Sequence, residues 1–210
     1  PVTNNQNFPD IITSSTPSTN CTMGAGLEDG SASAVTVDGL AATTTGYTFS
    51  WTGPAAPAFP VNVATNKADE IQLIKVQGGA GYDYVLTVTN TTNGCISSTI
   101  VNVADAKVLP VVSLSAADNT ICAPASAFDG SITATIDNQV GLLTDYTFNF
   151  GGGMVVGTTV GNQYTNLNGG PTAYTATAIH TLTGCESAEV SIPVTNNQNF
   201  PDIITSSTPS

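Results

Sequence analysis

Residues 47–51 read Tyr47-Thr48-Phe49-Ser50-Trp51, and residues 146–150 read Tyr146-Thr147-Phe148-Asn149-Phe150. Rings at every second position point to one face of an extended chain and the small polar residues to the other, a period of two that no helix sustains. The same alternation runs through Tyr84, Leu86 and Val88 against Val85, Thr87 and Thr89, and through Val35 and Val37 against Thr36. These stretches predict half-buried strands, rich in the β-branched and aromatic residues that suit a pleated surface. Gly78-Gly79, Asn93-Gly94, Gly151-Gly152-Gly153 and Asn168-Gly169-Gly170 punctuate them as turns. No stretch makes a convincing amphipathic helix; Ala64 to Ile71 comes nearest and is short enough for one turn or a loop.

The two aromatic stretches belong to a larger internal repeat. Pro9 precedes Cys21 by 12 residues and Pro110 precedes Cys122 by 12; Asp29-Gly30-Ser31 follows the first cysteine and Asp129-Gly130-Ser131 the second. Tyr84 stands 11 residues before Cys95 and Tyr174 11 before Cys185, each of these cysteines following a glycine. Over this lies a longer period. Pro1 to Ser18 reads PVTNNQNFPDIITSSTPS and Pro193 to Ser210 repeats it letter for letter, an offset of 192 residues. The chain therefore reads as one full period and the opening of the next: 1–8 the tail of a preceding repeat, 9–107 and 108–200 two homologous domains, 201–210 the start of a further one. Domains of this size, with many short strands at near-even spacing, predict an all-β fold of tandem immunoglobulin-like β-sandwiches. In such a sandwich one bulky aromatic fills the space between the sheets, and Trp51 and Phe150 are the candidates for that core position.

With 40% apolar residues, each half has enough to bury a core. Fifteen acidic residues face three lysines and no arginine, a net charge of −12. Phosphate neutralisation needs Lys and Arg, so nucleic acid is excluded as a partner, and an anionic membrane surface with it. No apolar run approaches the roughly 18 residues of a membrane helix, so direct membrane insertion is not expected. The acidity reads as solubility and mutual repulsion between exposed molecules.

The cysteines fall two per domain at matching positions, and their even count and symmetry predict disulfides made in an oxidising, extracellular setting. The preferred pairing is Cys21 with Cys95 and Cys122 with Cys185, each closing a loop worth about 3–4 kcal/mol of chain entropy. A rival respects the repeat equally: Cys95 with Cys122, and Cys185 with the following unit's counterpart of Cys21. No CxxC spacing suggests a thiolate metal site.

Chemistry is sparse. The single histidine, His180, has no nucleophile elbow, HExxH helix or phosphate loop to work with, so no catalytic residue is assigned and an enzyme is not expected. The acids recur at turns and linkers of both domains rather than in one cleft. Glu28, Asp29, Asp105, Asp118 and Asp129 are weak calcium candidates, without the DxDxDG density of a strong loop, and Asx turns account for them more simply. Calcium is the one cofactor the acids suggest.

The succession of Cys, Asp-Gly-Ser with an alternating strand, Tyr-Thr-Phe-Ser-Trp, Tyr-x-Leu-Thr-Val-Thr and Asn-Gly-Cys resembles the SprB-type and PKD-like repeats of giant surface proteins in gliding and predatory Bacteroidota. The likeness covers most of both domains; the second departs from it with Phe150 in place of Trp and Leu-Thr-Gly-Cys at its closing turn. The resemblance implies export by the type IX route, anchorage at the outer membrane, and service as an adhesin, gliding filament or prey-catching appendage. On that reading the chain is a spacer whose partners are neighbouring repeats and laterally associated copies. The alternative is a carbohydrate- or protein-binding module using hairpin loops such as Thr52 to Lys67, which looks like an insertion relative to the second domain.

Overall fold

The computed structural model describes residues 6–22, 27–54, 69–153 and 156–203. They form an all-β chain of antiparallel sheets that clusters into two compact units. The first is Pro1–Val108 with Thr183–Cys185, the second Leu109–Leu182 with Glu186–Ser210. Ala64 to Ile71 and the loop from Thr52 to Lys67 lie largely outside the described residues.

In the first unit the strands are β1 (Ile11–Thr16), β2 (Gly30–Val37), β3 (Leu40–Ala41), β4 (Tyr47–Thr52), β5 (Gln72–Val76), β6 (Asp83–Asn90) and β7 (Ile96–Asn102). One sheet runs β1-β2 with β3 and β5 both against β2, and the other runs β4-β6-β7. Alternation decides what lies between them. Ala32, Ala34 and Val37 of β2 and Leu73 and Val76 of β5 meet Phe49 and Trp51 of β4 and Tyr84, Leu86 and Val88 of β6 in one core cluster. Trp51 is buried, and its indole N–H donates to the Glu70 carbonyl at 3.2 Å, so the ring's polar edge is not left unsatisfied.

One alternation breaks. The alternation puts Val35 on the same face as Val37, yet Val35 is exposed and Val37 buried. The β1–β2 register shifts between Ile12 and Thr13, and such a bulge turns the side chains beyond it onto the other face.

The second unit has β8 (Val112–Ala117), β9 (Gly130–Ile136), β10 (Tyr146–Gly152), β11 (Thr158–Val160), β12 (Gln163–Leu167), β13 (Tyr174–His180), β14 (Cys185–Glu186) and β15 (Val190–Ile192). Its sheets run β11-β12-β9-β8, and β10-β13 with β14 and β15 both against β13. Phe150 is only half-buried. It stacks on Tyr164 with ring centroids 5.4 Å apart, and with Leu114 it packs against both of the clusters that make up this core.

Two devices recur. At the start of β6 the Tyr84 hydroxyl donates to the Gln77 carbonyl, and at the start of β13 the Tyr174 hydroxyl donates to the Asn168 carbonyl, each at 2.8 Å. Each pins a buried ring to the loop before its strand. Gly30 and Gly130 open β2 and β9 where a Cβ would lie 2.5 Å from the Val76 carbonyl oxygen and 2.4 Å from that of Leu167. Only glycine lets the backbones approach so closely, which accounts for the glycine of each Asp-Gly-Ser triplet.

Candidate functional site

The chemistry-bearing side chains gather at two kinds of place, the loop after the first strand of each unit and the hairpin before its last. In the first unit the chain leaves β1 and makes a parallel bridge from Ser18 to Asp105, beyond the end of β7. Ser18 N–H donates to the Ala104 carbonyl and Ala106 N–H to the Ser18 carbonyl, at 2.9 and 2.8 Å. In the second unit Asn119 and Asn196 make the matching bridge. Here the Asn119 N–H donates to the Thr195 carbonyl and the Asn197 N–H to the Asn119 carbonyl, both at 2.8 Å. Ser18 and Asn119 are fully buried. A buried polar side chain is tolerated where it is hydrogen-bonded, and Ser18 meets this by donating to Asp29 at 3.2 Å. Asn119 does so by donating to the Ile121 carbonyl at 2.9 Å and to Asn196 Oδ1 at 3.0 Å.

The aspartates of the two triplets shape the loop that follows. Asp29 accepts from the backbone N–H and hydroxyl of Thr19 and from the Asn20 N–H, and Asp129 accepts from the N–H and hydroxyl of Thr120. Desolvation pushes the Asp29 carboxyl up, but the bonds from Thr19, Asn20 and Ser18 together outweigh it and hold the group below its ordinary 3.8. At Asp129 the side-chain bond from Thr120, then its backbone bond, lowers the carboxyl. Both aspartates therefore serve as anchors of the Cys21 and Cys122 loops.

The other calcium candidates are scattered in role. Asp105 takes the Lys107 ammonium at 3.3 Å and its N–H at 3.1 Å, Asp118 is exposed, and Glu28 is half-buried. Among the described residues no group of three or more His, Cys, Asp or Glu side chains is gathered as a metal-holding set. His180 ends β13 with its ring 5.0 Å from that of Tyr146. A groove in the second unit is lined by Leu143, Tyr146, Phe148, Thr159 and Asn162 among others, and none of its lining side chains is an acid.

The cysteines correct the expected pairing. Cys21 is bonded to Cys185, with Cα atoms 4.8 Å apart, while Cys95 and Cys122 are free thiols, the first buried and the second exposed. Neither the same-domain pairs Cys21–Cys95 and Cys122–Cys185 nor the rival Cys95–Cys122 is formed. The reason is strand length. Cys21 lies three residues past Ser18, at the end of the unit where the bridge to Asp105 forms, whereas Cys95 precedes β7 at the opposite end. At about 3.3 Å per residue, the ten positions from Cys95 to Asp105 span roughly 30 Å, against the roughly 4.4–6.8 Å between Cα atoms that a disulfide allows. Cys122 and Cys185 are separated in the same way, Cys122 three residues past Asn119 and Cys185 eleven before its bridge partner Asn196.

No known protein family, curated protein or solved structure matches the chain.

The bonded tip is closely seated. Thr183–Cys185 clusters with the first unit, and the Cys21 N–H donates to the Thr183 carbonyl at 2.8 Å. Gly184 adopts φ +65°, and a Cβ on it would meet the Thr22 hydroxyl. Among the described residues no helix is long and apolar enough to cross a membrane, and a disulfide is present, which is compatible with an extracellular setting.

Proposed function

We propose that this chain is a structural repeat unit of a giant secreted cell-surface filament or adhesin, built of tandem immunoglobulin-like domains that extend an appendage for attachment, gliding or prey capture. The reading is non-enzymatic: the residues hold chains in register and give reach. It places the protein outside the cell, anchored at the outer membrane, as the resemblance to SprB-type and PKD-like repeats implies.

The observation that carries it is the phase of the eighteen-residue repeat relative to the fold. Val194 is buried in the second unit's core, Asn196 closes that unit against Asn119, and seven residues after Val194 stands Pro201. Val103, also buried, stands seven residues before Pro110, the buried proline that leads into β8. The repeated segment thus carries, in its second copy, the Asn196 bridge that closes one domain and, in its first, the strand β1 that opens another, with the spacing of the internal junction. A sequence copied in phase with the fold supports a continuing string of domains.

The sheet order supports the immunoglobulin-like reading. With β8, β9, β10, β11, β12 and β13 as strands A to F and β14 with β15 as G, the sheets are DEBA and CFG, the constant-type arrangement. The hydroxyl latches of Tyr84 and Tyr174 match the tyrosine corner of such sandwiches. Among the described residues β10 is paired on one side only, and such an edge is one route for lateral association of copies.

Small-angle scattering on chains carrying one, two and four copies of the 192-residue period tests the extended-string reading. The maximum dimension is expected to grow in proportion to copy number; growth as its cube root, the mark of collapse into one globule, overturns it. Surface labelling of intact cells with an antibody to the period tests location.

A further inference from the structure

We propose that the free thiols Cys122 and Cys95 are partners across successive copies of the period: Cys122 of one copy is oxidised to a disulfide with Cys95 of the following copy, so that every domain is stapled to the one after it. The inference rests on the tandem reading above and is tested separately from it.

It is carried by the Cys21–Cys185 bond and by how closely the free cysteines reproduce its two halves. Cys21 sits two residues after Thr19, whose N–H and hydroxyl are held by Asp29; Cys122 sits two residues after Thr120, whose N–H and hydroxyl are held by Asp129. The hairpin side matches too. The Cys95 N–H donates to Asn93 Oδ1 and the Cys185 N–H to the Thr183 hydroxyl, at 2.9 and 3.4 Å. Four residues earlier the Thr91 N–H donates to the Gly46 carbonyl and the Thr181 N–H to the Asp145 carbonyl, at 2.9 and 2.8 Å. Gly94 and Gly184 share the left-handed conformation, φ +70° and +65°. The tip that carries Cys95 is thus already folded in the form in which its counterpart is bonded. It also has room: a Cβ on Gly94 would meet nothing within 4 Å, where one on Gly184 meets Thr22.

The direction of pairing follows from which domain supplies each half. Cys21, of the loop after the first strand, takes the hairpin cysteine of the second sequence repeat, 164 residues on. Applied to Cys122, the same rule calls for the hairpin cysteine of the domain that begins where residues 193–210 restate residues 1–18, which is Cys95 of the following copy. The separation would be 95 + 192 − 122 = 165 residues, within one residue of the bonded pair. Pairing of Cys21 with Cys95, or of Cys122 with Cys185, is blocked by strand length, as above.

The chemistry balances with a small-molecule disulfide as oxidant. The exposed Cys122 thiolate attacks one sulfur of the oxidant and expels a thiolate; the Cys95 thiolate of the following copy then attacks Cys122 Sγ of that mixed disulfide and expels the second. The two protons lost by the cysteines end on the two thiols released.

The test is a chain of two consecutive periods refolded in oxidised and reduced glutathione, with free thiols counted and the disulfides mapped on non-reduced peptides. Two free thiols are expected, Cys95 of the first copy and Cys122 of the second, besides a Cys122–Cys95 cross-link and the Cys21–Cys185 bond in each copy. Because every pairing of a Cys95 with a Cys122 gives the same peptide mass, two variants assign it. Cys95→Ser in the first copy with Cys122→Ser in the second is expected to retain the cross-link and leave no free thiol. The reciprocal chain, Cys122→Ser in the first and Cys95→Ser in the second, is expected to keep two. Four free thiols in the unsubstituted chain, or a cross-link in the reciprocal chain, overturns the proposal. Linear growth in the scattering series alongside four free thiols would sink the pairing and leave the tandem reading standing.

Discussion

The two units solve one packing problem with different side chains. In the first, the large ring comes from β4, where Trp51 is 5% exposed, and the facing position on β5 is the aliphatic Leu73. In the second, β10 supplies the smaller Phe150, and β12 supplies Tyr164 where β5 has Leu73, the two rings lying nearly parallel. What one strand loses in volume the facing strand recovers. What the halves share is the filled space between sheets, and no single aromatic carries it.

Exchanging the side chains tests that shared space. Trp51→Ala is expected to cost about 3–5 kcal/mol, read as the loss of urea midpoint in the unfolding of the first unit, with Phe150→Ala costing less because its ring is already half-exposed. Trp51→Phe alone leaves a void, and adding Leu73→Tyr to recreate the second unit's pair is expected to recover part of the loss. Additivity of the two changes would mean that the positions do not share one space.

Cys185→Ser is expected to lower stability by about 2–5 kcal/mol, the range for opening a long covalent loop. Cys122→Ser in the same 210-residue chain is expected to change it by less than about 0.5 kcal/mol, as an exposed thiol without a partner should. Equal effects in non-reducing denaturant titrations would contradict the asymmetry between the two loops.

A smaller and symmetric effect is expected at the close approaches. Gly30→Ala and Gly130→Ala should each cost about 1–3 kcal/mol, since the added methyl must displace a strand backbone. Unequal losses would show that one close approach yields where the other does not.

The smallest effect is on pH dependence. Asp29 and Asp129 have native carboxyls lowered below the ordinary 3.8, so the unfolded chain binds protons more readily. Their stabilisation is therefore full above that value and is lost as pH falls through it toward the native values. Thermal unfolding between pH 5 and 2.5 should show a shallower decline in the Asp29→Asn and Asp129→Asn variants than in the parent.

Much of this was legible in the residues. The alternation at Tyr47 to Trp51 and at Tyr84 to Val88 is local, because side-chain direction in a strand is set by covalent geometry, and the core formed on those faces. Val35 escaped because a bulge depends on the partner strand and leaves no mark in its own letters. The Asp-Gly-Ser triplets were visible as a repeat, but a calcium loop and a turn anchor use the same carboxylates. The donors that meet Asp29 and Asp129, from Ser18, Thr19, Asn20 and Thr120, come within reach only in the folded loop.

By itself the sequence determined the all-β character, the doubled motif and the in-phase restart at residue 193, since each rests on the order of neighbours along the chain. The cysteine partners were settled by tertiary structure alone. A disulfide depends on which end of a sheet each loop reaches, and a first strand running parallel to the last carries Cys21 about 30 Å from Cys95, a distance that residue spacing does not encode.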